Sequence, residues 1–367
     1  MAWSTCLLFG SLLLEGVSSS CVIHKRGFIP TVKSVTVVGN VADPAINRDS
    51  CGSTRIGNRA FWTCRDSNPY DSNGNPILPI WSSSASWSNF NADGTPGLQQ
   101  YGGGGSQDPY FTYTAGECSD NSAGGCSDGS RYAIWPDLPP LVASTANNVV
   151  TAFSTNDPDP ATSLYKLTYD LGTSDANALP KVTLVNEDFW TYGSIPFGNY
   201  GNVIKDGTAY LFGRPSNGVL SLAKVPVGSI EDRSQYQYWV NGAWTSSMPR
   251  INDANIEIPN GSAGGQGTYY FSTNWNKWVW IGQAAVSVSA DFFITTADSI
   301  TGPWESPVNF YSGQTGTYYL GAYSHQAHPG LNAAGTSTNE IYISYTKNDV
   351  FGSSTLYSTP LIHIQWN

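Results

Sequence analysis

The chain has 367 residues, enough for one large domain or two ordinary ones, with a formal charge of -10, 13 Trp, 21 Tyr and only 12% charged residues. No basic stripe is present to neutralise phosphates, which excludes a nucleic-acid partner, and no segment after the N-terminus approaches the ~18 apolar residues of a membrane span. High aromatic and low charge content also exclude a disordered chain and describe a β-rich protein with an aromatic-lined surface.

From the N-terminus, Cys6 to Leu14 form a short apolar core followed by Ser18, Ser19 and Ser20. This is the pattern of a secretory signal peptide over residues 1–20, although no basic residue precedes the core. Lys25-Arg26 then ends a pro-segment over residues 21–26 and leaves a single domain, 27–367, outside the cell. Cys6 falls in the signal and Cys21 in the pro-segment, so Cys51, Cys64, Cys118 and Cys126 remain. Their natural pairing is 51–64 and 118–126, although four cysteines allow three connectivities. An even count in a secreted chain favours disulfides over metal ligation or thiol catalysis.

A first strand is expected over Val32 to Val38. Next comes Asp49 to Asp66, whose centre, Gly57-Asn58, is a two-residue hairpin loop of the kind that tolerates positive φ. If those residues form the turn, facing positions sum to 115. Cys51 then faces Cys64, and Asp49 faces Asp66. Directly opposed residues lie about 4.5–5.5 Å apart at Cα, which suits a disulfide. Because side chains alternate, the two aspartates emerge together just beyond it. Like charges opposite one another destabilise a sheet, so a covalently locked pair calls for a chemical reason. Two carboxylates roughly 5 Å apart are what a retaining glycosidase uses. By the same alternation Arg55 and Arg59 are placed on the aspartates' face and Arg65 on the other.

Residues 67–140 read as a long Ser-, Asn-, Gly- and Pro-rich insertion after the first hairpin, carrying Trp81, Trp87, Tyr101, Tyr110, Phe111 and Trp135. Such insertions sit at one rim and shape binding sites, though packing against the body is the commoner fate of any one aromatic. A strand, a tight polar turn and an aromatic strand recur five times: from Ser53, Val142, Asn202, Thr268 and Gly335. A further strand follows most of them, over Leu164 to Leu171, Val219 to Val225, Phe292 to Thr296 and Leu361 to Gln365. Repeated antiparallel meanders of this period predict an all-β, five-bladed β-propeller, with the Val32 strand closing the ring against the last blade.

The run Tyr200 to Gly213, then Leu220 to Pro226, Tyr236-Gln-Tyr-Trp and Gly242-Ala-Trp, resembles a secreted family long filed as a domain of unknown function and since linked to endo-D-arabinanases. Thr301-Gly-Pro-Trp-Glu-Ser-Pro and Tyr323 to Pro329 continue the likeness, which runs from about residue 35 to the C-terminus. Ile294 to Pro307 is also similar to blades of arabinanase-type and xylosidase-type propellers. The resemblance implies a propeller whose first blade supplies two acids. The family's Gly-Asp-Thr is Arg65-Asp66-Ser67 here, which keeps the acid, and the earlier acid maps to Asp49.

Asp49 and Asp66 are therefore the expected catalytic pair, as nucleophile and acid/base respectively. Glu187, near Trp190 at the end of the second unit, is a candidate third acid. Asn202, Trp190 and Asp253 are substrate-binding candidates, Asp253 on a strand face shared with Asn255 and Glu257. His325 and His328, beside Pro329, are candidates to bind sugar hydroxyls or to act as the base of a lyase. Asn260-Gly-Ser is a glycosylation sequon in a Gly-rich loop. The reading is a secreted, monomeric glycoside hydrolase without metal or cofactor, acting on an arabinan-like polysaccharide. A polysaccharide lyase and a non-catalytic carbohydrate-binding propeller are the alternatives.

Overall fold

The computed structural model describes residues 27–103, 109–114, 117, 125–156, 161–215, 219–285, 287–332, 335–352 and 354–367. The expected signal peptide, the Lys25-Arg26 site and Cys118 lie outside these residues. Five antiparallel sheets form the blades of a β-propeller. The first joins Gly52–Ile56, Arg59–Cys64 and Ser84–Asn89, extended by the short pair Ile46–Arg48 and Ser67–Pro69. The second runs through Leu141–Ala146, Val149–Asn156, Thr162–Asp170 and Lys181–Trp190. The third has five strands, from Gly201–Lys205 to Ala243–Thr245, and the fourth runs from Gly264–Ser272 to Val308–Ser312. The fifth comprises Ala322–Ala327, Glu340–Phe351 and Ser354–Trp366, and its outer strand is the N-terminal Val32–Val41. Both ends of the chain thus share one blade, and the ring closes as expected.

Turn chemistry fixes these registers. Asn147-Asn148 (φ 51 and 63), Asp206-Gly207 (50 and 73) and Asn241-Gly242 (53 and 74) each place two residues at positive φ, the type I′ geometry that matches strand twist. At the first hairpin Gly57 alone is left-handed (φ 60), the signature of a II′ turn with glycine leading. Ile56 faces Arg59 and Gly52 faces Thr63; farther out, Arg48 faces Ser67 and Ile46 faces Pro69. The sum of 115 therefore holds on both sides of the aspartates.

Each sheet is covered on both faces, and the core divides into five apolar clusters, one in each gap between neighbouring blades. Phe61, Trp87 and Tyr165 fill the gap between blades one and two, and Leu211, Trp190 and Tyr236 the next. Trp280 and Phe212, then Phe292 and Ile343, and finally Trp62 and Leu361 fill the other three. Burial of such side chains from every blade makes the ring cooperative, because no blade covers its own faces.

Four sequence expectations change. The fifth unit's inner strand is Ala322–Ala327; Gly335–Ser337 is a 3₁₀ turn in the loop that follows it. Ser84–Asn89, inside the expected insertion, is the third strand of the first blade, paired from Cys64–Ser84 to Arg59–Asn89. Asp253 and Asn255 lie in a loop rather than on a strand, with Asn255 at φ 61. Arg55 and Arg59 diverge, because Arg59 opposes Ile56 while Arg55 opposes Ala60. Arg55 stacks on Phe90 and donates to the Asn332 carbonyl of blade five, whereas Arg59 stacks on Trp87 and donates to Tyr169 of blade two. Among the described residues no helix is long and apolar enough to cross a membrane.

Candidate active site

The hairpin brings the two aspartates together. Cys51 and Cys64 form a disulfide with Cα atoms 4.1 Å apart, and beyond it the Asp49 N–H donates to the Asp66 carbonyl at 2.9 Å. Between Asp49 and the disulfide the ladder is broken by Ser50, a non-glycine residue at φ 51. The Arg65 N–H consequently reaches the Asp49 carbonyl (2.8 Å), and strict alternation fails at this point. Arg65, expected on the opposite face, lies close enough for its charge to act on the Asp49 carboxyl.

Asp49 is buried at 8% exposure. Burial pushes its carboxyl up to about 6; the Arg65 charge opposes that shift, and the Asp66 charge adds to it. Two hydroxyls hold the carboxyl: Ser50 Oγ donates to Oδ1 at 2.9 Å, and Tyr323 bonds it from the inner strand of blade five. Ser50 is itself fixed across the seam between the first and last blades. Its N–H donates to Thr346 Oγ1 at 2.8 Å, and its hydroxyl lies 2.9 Å from that of Ser324, a second non-glycine residue in the left-handed region (φ 54). Residues held at positive φ cost of order 1–3 kcal/mol each and collect at functional sites.

Asp66 is more open, with its side chain 19% exposed. Arg131 Nη2 (2.8 Å) and the Trp135 indole N–H (3.0 Å) both bond its Oδ1. Arg65 pairs with Asp137 at 2.5 Å and donates to Gln266 Oε1 at 2.9 Å. Tyr357, on the outer part of blade five, is pushed up to about 12 by burial first and then by the charges of Asp49 and Asp66. Two carboxyl groups of unlike environment thus sit side by side, one buried and proton-holding, the other ion-paired. That asymmetry is how one fold assigns acid and base roles. Among the described residues no group of three or more His, Cys, Asp or Glu converges as a metal site requires.

The other candidates are placed elsewhere. His325 and His328 are fully buried. His328 bridges Ser53 Oγ (2.8 Å, Nδ1) and Ser344 Oγ (2.7 Å, Nε2) and packs on Trp62, so it ties blade five to blade one from inside the core. His325 Nδ1 lies 3.2 Å from Gln283 Oε1 with Phe292 and Tyr345 against the ring. Trp190 is buried too, its indole N–H donating to the Phe197 carbonyl at 2.7 Å. All three are buried between the blades. Glu187 is exposed on the outermost strand of blade two, and Asn202 is half-buried on the inner strand of blade three. Asp253 is exposed, its carboxylate accepting from the Arg250 N–H. Asn260 is exposed in a turn, as a glycosylation acceptor has to be.

Tyr323, Tyr357, Arg131, Asp137 and Gln266 were not singled out by sequence. Trp135 was only one aromatic among six, and the proximity of its Trp-Pro-Asp run to the aspartates arises in three dimensions. Replacing Cys51 and Cys64 together by Ser is expected to cost about 3 kcal/mol, for a sequence separation of 13. The shift of the urea midpoint measures it.

No family model and no curated protein sequence matches the chain. Solved structures do resemble it. A candidate hydrolase from Bacteroides ovatus superposes with a TM-score of 0.60 at 18% identity, over 90% of this chain and 87% of the other. The catalytic domain of a GH62 α-L-arabinofuranosidase from Coprinopsis cinerea gives 0.49 at 12% identity, over 92% and 98%. A family 117 glycoside hydrolase from Zobellia galactanivorans gives 0.48 at 8%, over 90% of each. The likeness lies in the fold.

Proposed function

We propose that this protein is a secreted glycoside hydrolase that cleaves an uncharged, arabinan-like polysaccharide with Asp66 as nucleophile and Asp49 as acid/base. This exchanges the roles expected from sequence. The carrying observation is the buried Asp49 carboxyl, held protonated to about pH 6 directly beside an ion-paired Asp66. In the first step the Asp66 carboxylate attacks the anomeric carbon while Asp49 gives its proton to the departing glycosidic oxygen. In the second, Asp49 takes a proton from water, whose oxygen attacks the same carbon and releases Asp66. The arabinan-like substrate follows the resemblance to the family linked to endo-D-arabinanases, carried by Tyr200 to Gly213 and the acids of the first blade.

Two features speak against the lyase alternative. Both histidines that would serve as its base are buried and pushed down to about 3 by burial. Arg65 and Arg131, which would hold a uronate, are already matched with Asp137 and Asp66. The test is product release from arabinans, galactans and uronate polysaccharides by the protein starting at Gly27, beside Asp66→Asn. Release of reducing ends from a neutral polymer, lost by at least 10³-fold in the variant, is expected. Unsaturated, ultraviolet-absorbing product would establish a lyase instead, and undiminished activity in Asp66→Asn would remove the pair from the chemistry. Binding without turnover would make the propeller a lectin. Anomeric configuration read by NMR at early times gives retention if the carboxyls stand about 5 Å apart and inversion beyond roughly 6.5 Å.

A further inference from the structure

Immediately before the strand that carries Tyr323, residues 316–321 form a short loop whose backbone is tightly docked. Gly316 N–H donates to the Gly321 carbonyl (2.8 Å), Tyr318 N–H to the Asn348 carbonyl (3.1 Å) and Asn348 N–H to the Gly321 carbonyl (3.1 Å). Thr317 adds its N–H to Asp349 Oδ1 (3.0 Å) and accepts the Val350 N–H on its hydroxyl (3.0 Å). A Cβ on Gly316 would stand 1.9 Å from the Asn348 carbonyl oxygen, so only glycine permits this approach.

The tip faces water. The Tyr318 and Tyr319 rings lie against each other with centroids 4.4 Å apart, and Tyr319 is 74% exposed. Leu320 in the loop, and Val350 and Phe351 at the end of the strand the loop docks on, are exposed as well. Single exposed apolar residues are ordinary, but two aromatic rings held against each other as a ledge on a rigid support mark a binding surface.

The ledge adjoins the carboxyl pair. Tyr319 lies four positions before Tyr323, which bonds Asp49, and four steps of extended chain span at most about 14 Å. Asn348, on which the loop docks, faces Tyr357 across the ladder, and Tyr357 senses the charges of Asp49, Asp66 and Tyr318. Flat rings with hydroxyl tips suit the apolar faces and hydroxyl rims of sugar rings.

We propose that Tyr318 and Tyr319 form a distal subsite that holds the same uncharged glycan chain beyond the residues being cleaved. The proposal rests on the hydrolase reading and makes the preferred substrate a polymer rather than a disaccharide. The test compares wild type, Tyr318→Ala and Tyr319→Ala on the neutral polymer that the panel identifies and on the shortest oligosaccharide of it still cleaved. Both positions are on the surface, so folding is expected to be unchanged. Expected is a three- to tenfold rise in KM on polymer, the size of one or two aromatic contacts, with kcat and short-substrate kinetics unaltered. Wild-type kinetics on polymer in both variants would overturn the subsite and leave the hydrolase reading intact. If no polymer is hydrolysed that reading fails by itself, and retardation in polysaccharide-containing gels decides the ledge: retardation lost in Tyr319→Ala supports it, and retardation absent or unchanged overturns it. A sedimentation coefficient that falls in Tyr319→Ala would assign the ledge to self-association and overturn the subsite too.

Discussion

Replacing Asp49 with Asn is expected to lower hydrolysis by about 10²–10⁴-fold, the usual contribution of a general acid–base, and to stabilise the protein at the same time. In the folded state the carboxyl binds its proton up to about pH 6, against an ordinary value of 3.8. A raised carboxyl contributes stability that is present below 3.8 and is lost as pH rises through 6, because ionisation has to take place inside the fold. The difference of about two units corresponds to about 3 kcal/mol lost by pH 8. Asn keeps the shape and removes the charge, so its melting temperature should exceed that of wild type at pH 8 and match it near pH 3.5. Activity in wild type should fall as pH climbs above about 6, because the protonated acid disappears. A lower melting temperature for the variant at pH 8 would mean that Asp49 is there for structure, not chemistry.

The aspartate pair could be found by arithmetic because a glycine-led two-residue turn fixes register locally, and the sum of 115 persists to Ile46 and Pro69. Ring closure was legible for a similar reason, since the period of the repeats counts the blades. What surrounds the pair was not legible. Tyr323 and Tyr357 come from the last blade, Gln266 from the fourth, and Arg131, Trp135 and Asp137 from the segment beyond the first blade's third strand. These arrive through contacts between residues tens to hundreds apart, on which no local pattern bears. The break in the ladder at the left-handed Ser50 was not legible either, because nothing in the type of residue at position 50 announces it. The burial of the histidines was not legible either, because a polar residue near a strand end reads the same whether it faces a funnel or a neighbouring blade.

Those histidines carry the second large prediction, a loss of stability with acid that begins well above the carboxylate range. Burial pushes His325 and His328 down to about 3 from an ordinary 6.5. A base depressed in this way contributes stability that is present above 6.5 and is lost as pH falls towards 3, because the unfolded chain binds protons that the folded one refuses. Each is worth roughly 5 kcal/mol across the full interval. Asp49 acts in the opposite sense between 6 and 3.8, where the folded state holds one proton that the unfolded state has released. From pH 6 to 4, unfolding should therefore take up about two protons at the histidines and give back about one at Asp49, a net uptake near one. Below 3.8 the Asp49 compensation ends and the slope should steepen towards two, with hydrogen-bonded surface carboxylates such as Asp71 and Asp232 adding to it. Urea midpoints measured from pH 7 to 3.5 read these slopes directly. Asp49→Asn should bring the net uptake to about two across the whole range. His328→Gln should remove about one proton from it, whatever it does to stability at pH 7. A flat profile between pH 6 and 4 in the Asp49 variant would mean that the two histidines are open to water rather than sealed between the blades.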